Sequence, residues 1–474
     1  MSYGVDIARR VFPKWRSNHA KSRLLELLFR NWAVVLGRRG INLSSLVTHE
    51  AVQTTNFCEE ACAASAHGAP AREAPKRQLR VGFLTYDLQR NTEDFVFEVA
   101  RLGTCSVKAF PLFWHMDQEV ARVAFRPATA KAKHLGVDVK GSTPEGFMSN
   151  LEWSVGWDCA LQSDIVVLKG LFGLAAIWCV LSARLLGRVV ISINQTLPVR
   201  WERKRRWWVK LLKRMLLPMC QYYIYQNPAA FEVLTEVYGC APDRLISAPF
   251  EGGASLFRRI LRQVNSRNEV RRVFGFDGKV IFLYVGNLHA FKGVTDIVMA
   301  VALLPKDAAV LCVFVGPEEP SSKEGATGTV EYFTRLARTN GVEHLVRFLK
   351  PVAPEKLAEL YCASDVVLLP TRKDCFPKVL VEAGLASKPL VTTNACGSAG
   401  LIVQDGVNGF IIEPGDPAEL SQAMTKLLDL ELRSRMGAQS RGIVDEHCRI
   451  DLEVQGYMTA IKRASEYLRS KETV

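Results

Sequence analysis

The stretch "DVVLLPTRKDCFPKVLVEAGLASKPLVTTN", residues 365–394, reads as strand, loop, helix and strand. Val366 to Leu369 form an unbroken apolar run, the pattern of a strand buried on both faces of a parallel sheet. Pro377 stands where a helix can begin, because the first N–H groups of a helix have no partner within it and a missing one costs nothing. "PLVTTN" then repeats the strand pattern. The loop after the first strand lies in the crevice at the carboxyl edge of the sheet, where open α/β sheets bind ligands. Asp374 and Glu382 fall in that loop and helix, eight positions apart.

Working outward, the same alternation fills most of the 474 residues. Strands are predicted at "LRVGFLTY", "SVKAFPLFW", "DIVVLKG", "RVVISIN", "QYYIYQ" and "RLISAPF", with helices between them. The chain crosses "EGGASLFRRILRQVNSRNE", residues 251–269, and begins again with "VIFLYVGN", "AVLCVFVG", "VRFL", "DVVLLP" and "PLVTTN". Residues 395–416 read as a loop, with helices from Pro417 onward. The expected fold is α/β, with two Rossmann-like doubly wound domains facing across a cleft. The expected boundaries are a basic amphipathic segment at 1–47, an Ala- and Pro-containing linker at 48–78, an acceptor-side domain at 79–258 and a donor-side domain at 259–440. Helices at 441–474 are expected to return toward the first domain.

Hydrophobic residues at 48% and charged residues at 23% describe a folded chain. Twelve cysteines are scattered without a zinc-like or CxxC spacing, and the start "MSYGVDIARRVF" lacks a secretory pattern, so reduced thiols and a cytoplasmic location are expected. The longest apolar run, residues 170–183, is bounded by Lys169 and Arg184 at fourteen residues, short of the about 20 that a membrane helix needs. The net charge of +13 is local: residues 1–40 and residues 200–214 each carry +7, slightly more together than the whole excess.

Lys378 and Val379 would open the helix after Pro377, with backbone N–H groups aimed at a bound anion. Asp374 and Glu382 could then flank a phosphate ester and accept from hydroxyls on either side, the layout of a nucleoside diphosphate sugar. The spacing alone equally fits an acid favouring the helix dipole and a solvated Glu. A second motif, "LYVGNLHAFKGVTDI" at 283–297, again runs strand, Gly-containing loop and helix, and brings Lys292 toward the same crevice as a point-charge clamp for phosphate.

These residues resemble the retaining glycosyltransferases of the GT-B fold, family 4 (glycosyl transferases group 1) in particular. The likeness covers most of residues 80–465 and is strongest in the second half, where "GNLHAFKG" and the order Asp374, Glu382-Ala383, Lys-Pro-Leu-Val, Asn-Gly-Phe and Pro-Gly-Asp follow the family pattern. The resemblance implies that Glu382 binds the ribose of the donor and Asp374 the hydroxyls of the transferred sugar. Lys292 and the amides of Lys378 and Val379 would hold the diphosphate, with Phe376 and Asn287 completing the donor side. It implies no metal and no cofactor beyond the nucleotide diphosphate sugar as co-substrate. Asn287 stands where the family has a phosphate-binding Arg, and Asp374 where it has the longer Glu. "TYDLQRNTEDF" lacks the family's Gly-rich loop, and Lys169, Asn194, His115 and His289 are the loose candidates for the acceptor side.

Residues 200–217 read as one helix, with Trp201, Trp208, Leu211, Leu212 and Met215 on one side and Arg203, Arg206, Lys210 and Lys213 on the other. A basic face bordered by Trp is the pattern of an interfacial helix on an anionic membrane, and no nucleic-acid motif accompanies it. The expected protein is therefore a hexosyltransferase-type enzyme attached peripherally to the cytoplasmic face of a membrane, with a lipid-linked or cell-envelope glycan as acceptor. The alternative is a catalytically weakened protein of the same fold, acting as a donor-binding or scaffold partner in a glycan pathway.

Overall fold

The protein is described by a computed structural model over residues 78–85, 94–111, 138–139, 153–171, 173–318 and 329–472. The expected segment 1–47, the linker 48–78 apart from Gln78, the loop after the first strand and His115 lie outside the described residues. Two parallel sheets make up the fold. The first contains β1 (Arg80–Thr85), β2 (Ser106–Pro111), β3 (Asp138–Val139), β4 (Ile165–Lys169), β5 (Val189–Asn194), β6 (Tyr222–Tyr225) and β7 (Leu245–Ser247), in the order β3-β2-β1-β4-β5-β6-β7. The second contains β8 (Val280–Val285), β9 (Val310–Val315), β10 (Val346–Leu349), β11 (Val366–Leu369), β12 (Leu390–Thr393) and β13 (Gly409–Ile412), in the order β10-β9-β8-β11-β12-β13. The α/β architecture of two doubly wound domains expected from the alternation is what the chain adopts.

In the second sheet the order reverses between β8 and β11, which pair in parallel with Val366 opposite Phe282 and Val367 opposite Leu283. The chain leaves β8 toward one side and β11 toward the other. The gap between their carboxyl ends is the topological switch point, where this kind of sheet opens a ligand crevice.

Several elements differ from the sequence-based expectation, among them the two-residue edge strand β3, which was not among the expected strands. β13 lies inside the stretch read as a loop; it is a four-residue strand at the edge of the sheet, too short after Asn408-Gly409 to show a period. The crossing from the first domain contains the helices Ala254–Leu261 and Arg267–Phe274. Pro377 caps the helix Lys378–Leu385 from outside it, one position earlier than expected, so Lys378 and Val379 are its first two residues.

Each sheet builds its own apolar core, and the chain ties the two together twice. The helix Ile450–Glu472 leaves the second domain and delivers Tyr457, Ala460, Ile461 and Ala464 into the core of the first, where Tyr457 stacks on Phe95 at 4.1 Å. At the crossing, buried Glu453 accepts from Gln226 Nε2 at 2.8 Å and from the Glu251 amide at 3.0 Å. One carboxylate thereby joins both passages of the chain between the domains.

Lys388 is a buried cation whose ammonium donates to the Cys362 and Ser364 carbonyls at 3.0 and 2.9 Å, closing the end of the helix Pro354–Ala363. Burial, reinforced by Arg267, pushes it down to about 8 from 10.5. Between those values the unfolded chain holds a proton that the folded chain has lost, so this group makes stability rise with pH. Raising the pH from 7 to 9.5 is therefore expected to increase the stability of the wild type relative to Lys388→Met, as read by urea denaturation of both. A difference independent of pH would show that Lys388 titrates normally.

Candidate functional site

The crevice at the switch point is assembled from the loops that follow β8 and β11. Gly293, at φ 81°, ends the first loop against the second: an added Cβ there would meet the Pro370 carbonyl oxygen at 2.1 Å. The Arg372 amide and the Thr371 hydroxyl both donate to the Phe291 carbonyl, at 2.7 and 3.3 Å. Arg372 also donates to buried Asp296 at 2.8 Å, fixing the first turn of the helix Val294–Val301. Backbone and side chain thus hold the two loops in one register.

That register brings together the two residues singled out from separate motifs. Lys292 Nζ lies 2.5 Å from Asp374 Oδ2, both half-buried. The cation is further placed over the Phe291 ring at 5.5 Å. The Asp374 carbonyl accepts from the Gly397 amide at 2.8 Å, so the carboxylate springs from a backbone held by the loop after β12.

Glu382 lies in the second turn of the helix Lys378–Leu385, where its Oε2 accepts from the hydroxyl of fully buried Tyr361 at 2.9 Å. Burial raises the Glu382 carboxyl above its ordinary value, with the Tyr361 hydrogen bond and the charge of Lys378 partly offsetting it. Folding therefore places this acid where its charged form is disfavoured, a cost that a binding site tolerates when the ligand supplies the missing donors.

The remaining expected site residues divide. Asn287 is exposed, and its carbonyl accepts from the Tyr284 hydroxyl at 2.7 Å. Val379 is half-buried beside Lys378. Phe376, at 7% exposure, meets the Phe250 ring edge-on at 5.2 Å and packs beside Gly252, where the chain crosses between the domains. Cys375, between Asp374 and Phe376, has its thiol pushed up to about 11 by burial and the Asp374 charge, which makes it a poor nucleophile. His289 accepts from the Phe291 amide at 3.2 Å and lies against its ring, a loop-shaping arrangement. Asn194 donates to Ser192 and to the Ile224 carbonyl at the end of its own strand.

Asn227 has no counterpart among the expected residues. Its side-chain oxygen caps the helix Pro228–Glu232 by accepting from the Ala230 amide. Its nitrogen donates to Thr196 in the first domain at 3.1 Å and to Cys375 and Gly397 in the second at 3.0 Å each. Asn-Pro reads in sequence only as a helix start, and nothing local signals that the other end of the amide reaches the loop after β11. Arg200 and Glu413 add an exposed pair across the domains at 3.2 Å.

The basic segment is two helices, Val199–Arg203 and Trp207–Leu216, rather than one. The break changes the phase of the second helix, so that Val209, Lys213 and Leu216 turn inward. Lys213 is accordingly a correction to the membrane-facing set: at 7% exposure it pairs with fully buried Glu202 at 2.7 Å, where Tyr238 also donates. Trp207 at 73% and Trp208 at 48% exposure face outward with Leu211, next to exposed Arg203, Lys204, Arg206 and Arg214, while Lys210 is half-buried. Trp201 is half-buried under Lys204, whose ammonium lies 4.9 Å from the ring centre.

With this geometry in place, comparison with known proteins locates the fold. Residues 266–442 match the family model of the glycosyl transferases group 1. The D-inositol 3-phosphate glycosyltransferase of Corynebacterium diphtheriae is 30% identical over 237 residues, covering 48% of this chain and 53% of that protein. The enzyme of the same name from Acidothermus cellulolyticus is 29% identical over 250 residues, 51% of this chain and 52% of that one. The chain thus spans about half the length of the curated relatives it matches. Among solved structures, Anabaena Alr3699/HepE in complex with UDP superposes with a TM-score of 0.61 at 17% identity, over 83% of this chain and 100% of that one. WaaG, a glycosyltransferase involved in lipopolysaccharide biosynthesis, superposes with a TM-score of 0.54 at 20% identity, over 80% and 98%. The fold is GT-B, and its second domain carries the sequence pattern of the group 1 glycosyl transferases.

Because the Glu382 carboxyl is raised, the stability it contributes is present below about 4.5, its ordinary value, and lost as the pH rises through the raised one. Glu382→Gln is expected to raise the melting temperature at pH 7 by about 1–3 °C in the absence of ligand, a gain that shrinks as the pH falls toward 4.5. A variant that melts lower at pH 7 would mean that the carboxylate is well solvated or well paired as it stands.

Proposed function

We propose that this protein is a glycosyltransferase that moves a sugar from a nucleotide diphosphate sugar to a hydroxyl acceptor, with retention at the anomeric carbon and without a metal. The observation that carries the reading is the Lys292–Asp374 pair at the switch point, one helix from Glu382. In the ligand-free protein Asp374 is the counter-ion of Lys292. An arriving diphosphate offers Lys292 more negative charge and joins the amides that open the helix Lys378–Leu385. Lys292 exchanges partners, and the released Asp374 accepts from hydroxyls of the sugar. Glu382 takes the ribose hydroxyls.

In the transfer step the bond from the anomeric carbon to the phosphate oxygen breaks, and negative charge grows on the diphosphate beside Lys292 and the helix start. The acceptor oxygen bonds to the same face of that carbon, and its proton passes to the departing phosphate oxygen. Atoms and charge balance with no further reagent. The match of residues 266–442 to the glycosyl transferases group 1 and the UDP bound by the structural neighbour support the donor class.

The relatives are named for D-inositol 3-phosphate; for this chain we favour an acceptor presented at a membrane, a lipid-linked or cell-envelope glycan. The exposed Trp207, Trp208 and Leu211 beside Arg203, Lys204 and Arg206 support that choice. Attraction of such cations to anionic lipid is worth about 1 kcal/mol each near the surface, enough together for reversible attachment. Among the described residues no helix is long and apolar enough to cross a membrane.

A thermal-shift panel of UDP, GDP and TDP sugars tests the donor class, since a ligand that binds only the folded state raises its melting temperature. One nucleotide series is expected to stabilise the wild type and to lose that effect in Lys292→Met; no response to any of them would defeat the proposal. Asn287, exposed and uncharged beside the phosphate site, favours a second reading in which donor binds without turnover. Saturable binding with no release of nucleoside diphosphate, in the presence of membrane extract, would select it. For the membrane, Trp207→Ala with Trp208→Ala is expected to reduce sedimentation with phosphatidylglycerol-containing vesicles at least about tenfold. Unchanged sedimentation would remove the lipid surface from the account.

A further inference from the structure

Away from the crevice, at the opposite edge of the first sheet, three arginines that are far apart in sequence converge on one cavity of about 460 Å³, lined also by Pro218, Gln221, Tyr222, Asp243 and Tyr467. Arg184 lies at the end of the helix Leu174–Leu185, before β5; Gln221 precedes β6; Asp243 and Arg244 precede β7. These are amino ends of strands, whereas Asp374 and Lys292 follow the carboxyl ends of theirs. Arg463 and Tyr467 approach from the helix Ile450–Glu472, one turn apart and so on the same face.

Two of the three guanidinium groups are held rather than loose. Arg244 donates through Nε to the Gln221 carbonyl at 2.6 Å and through Nη2 to the Cys220 carbonyl, and it lies over the Tyr223 ring at 5.2 Å. Arg463 donates to the Asp243 carbonyl at 2.9 Å, and the Tyr222 hydroxyl donates to the Arg463 carbonyl at 3.2 Å. Among the described residues no carboxylate lies within salt-bridge distance of half-buried Arg184 and Arg244 or of exposed Arg463, whereas Arg80, Lys213, Arg271 and Lys292 each have one. Asp243 is the one acid lining the cavity, which leaves it with a net charge of +2.

We propose that this cavity is a binding site for a dianionic phosphate ester, distinct from the donor crevice. A guanidinium presents its donors in a planar fork that matches phosphate oxygens, and two groups pinned by backbone carbonyls lose little freedom on binding. The Tyr222 and Tyr467 rings supply the apolar walls for the rest of a small molecule, and the volume suits one. Binding would reinforce the Arg463 and Tyr222 hydrogen bonds and the Tyr457 packing that fasten the helix Ile450–Glu472 to the first sheet. The ligand therefore stabilises the passage between the domains without touching the crevice.

The test is calorimetric titration of the whole protein with inorganic phosphate and with glucose 6-phosphate, repeated on Arg184→Met, Arg463→Met and Lys292→Met. Saturable binding is expected in the wild type and in Lys292→Met, weakened about tenfold or more in each arginine variant, since a hydrogen bond to a charged group is lost. Circular dichroism and an unchanged melting temperature without ligand show that the variants are folded. No saturable binding to the wild type overturns the proposal, and so does binding that survives both arginine variants. Binding lost only in Lys292→Met assigns the anion to the crevice and also overturns it.

Discussion

Lys292 and Asp374 are 82 positions apart in sequence and 2.5 Å apart in space. Their closeness follows from the reversal of strand order between β8 and β11, which leaves the two loops facing each other at the switch point. A half-buried cation and anion placed there stabilise each other, yet each remains available to a ligand carrying the opposite charge. The rest of the second domain serves that arrangement. Gly293 lets the first loop close on Pro370, Arg372 ties it to the second, and Tyr361 positions Glu382 one turn into the helix Lys378–Leu385.

The first domain acts on the same point through Asn227. Its amide meets the carbonyls of Cys375 and Gly397, the residues that follow and support Asp374. Any opening of the domains therefore strips hydrogen bonds from the loop that carries the acid. Phe376 belongs to the same joint, packed on Phe250 where the chain first crosses between domains, while Glu453 fastens the second crossing to the first. The crevice and the joint between the domains thus share one stretch of chain, so a change in domain closure would alter the crevice directly.

The strands of both sheets were legible because their apolar runs alternate with helical ones, and the opening stretch was read to within one residue at Pro377. The crevice acids and Lys292 were legible because each sits directly after a strand. β3 and β13 were not, since two or four residues at an edge do not establish a period. Lys213 was misplaced because a helical wheel drawn through residues 200–217 assumes one phase, whereas the break at Lys204 to Arg206 starts a second. The pair it makes with Glu202 is set by burial, which the wheel does not register. Asn227 and the arginine cavity depend on residues from three or four distant elements, and local sequence carries no trace of such convergence.

The central claim is that Lys292 exchanges Asp374 for the diphosphate of the donor. It is tested most directly by the affinity for UDP of the wild type and Asp374→Asn, measured by calorimetry in parallel with Lys292→Met. Removing the charge of Asp374 frees Lys292 from its competitor and takes one anion away from the diphosphate. The account therefore predicts that Asp374→Asn binds UDP more tightly than the wild type while transferring no sugar, and that Lys292→Met binds it more weakly. Weaker UDP binding by Asp374→Asn would contradict it, because the carboxylate would then be holding the nucleotide rather than yielding to it.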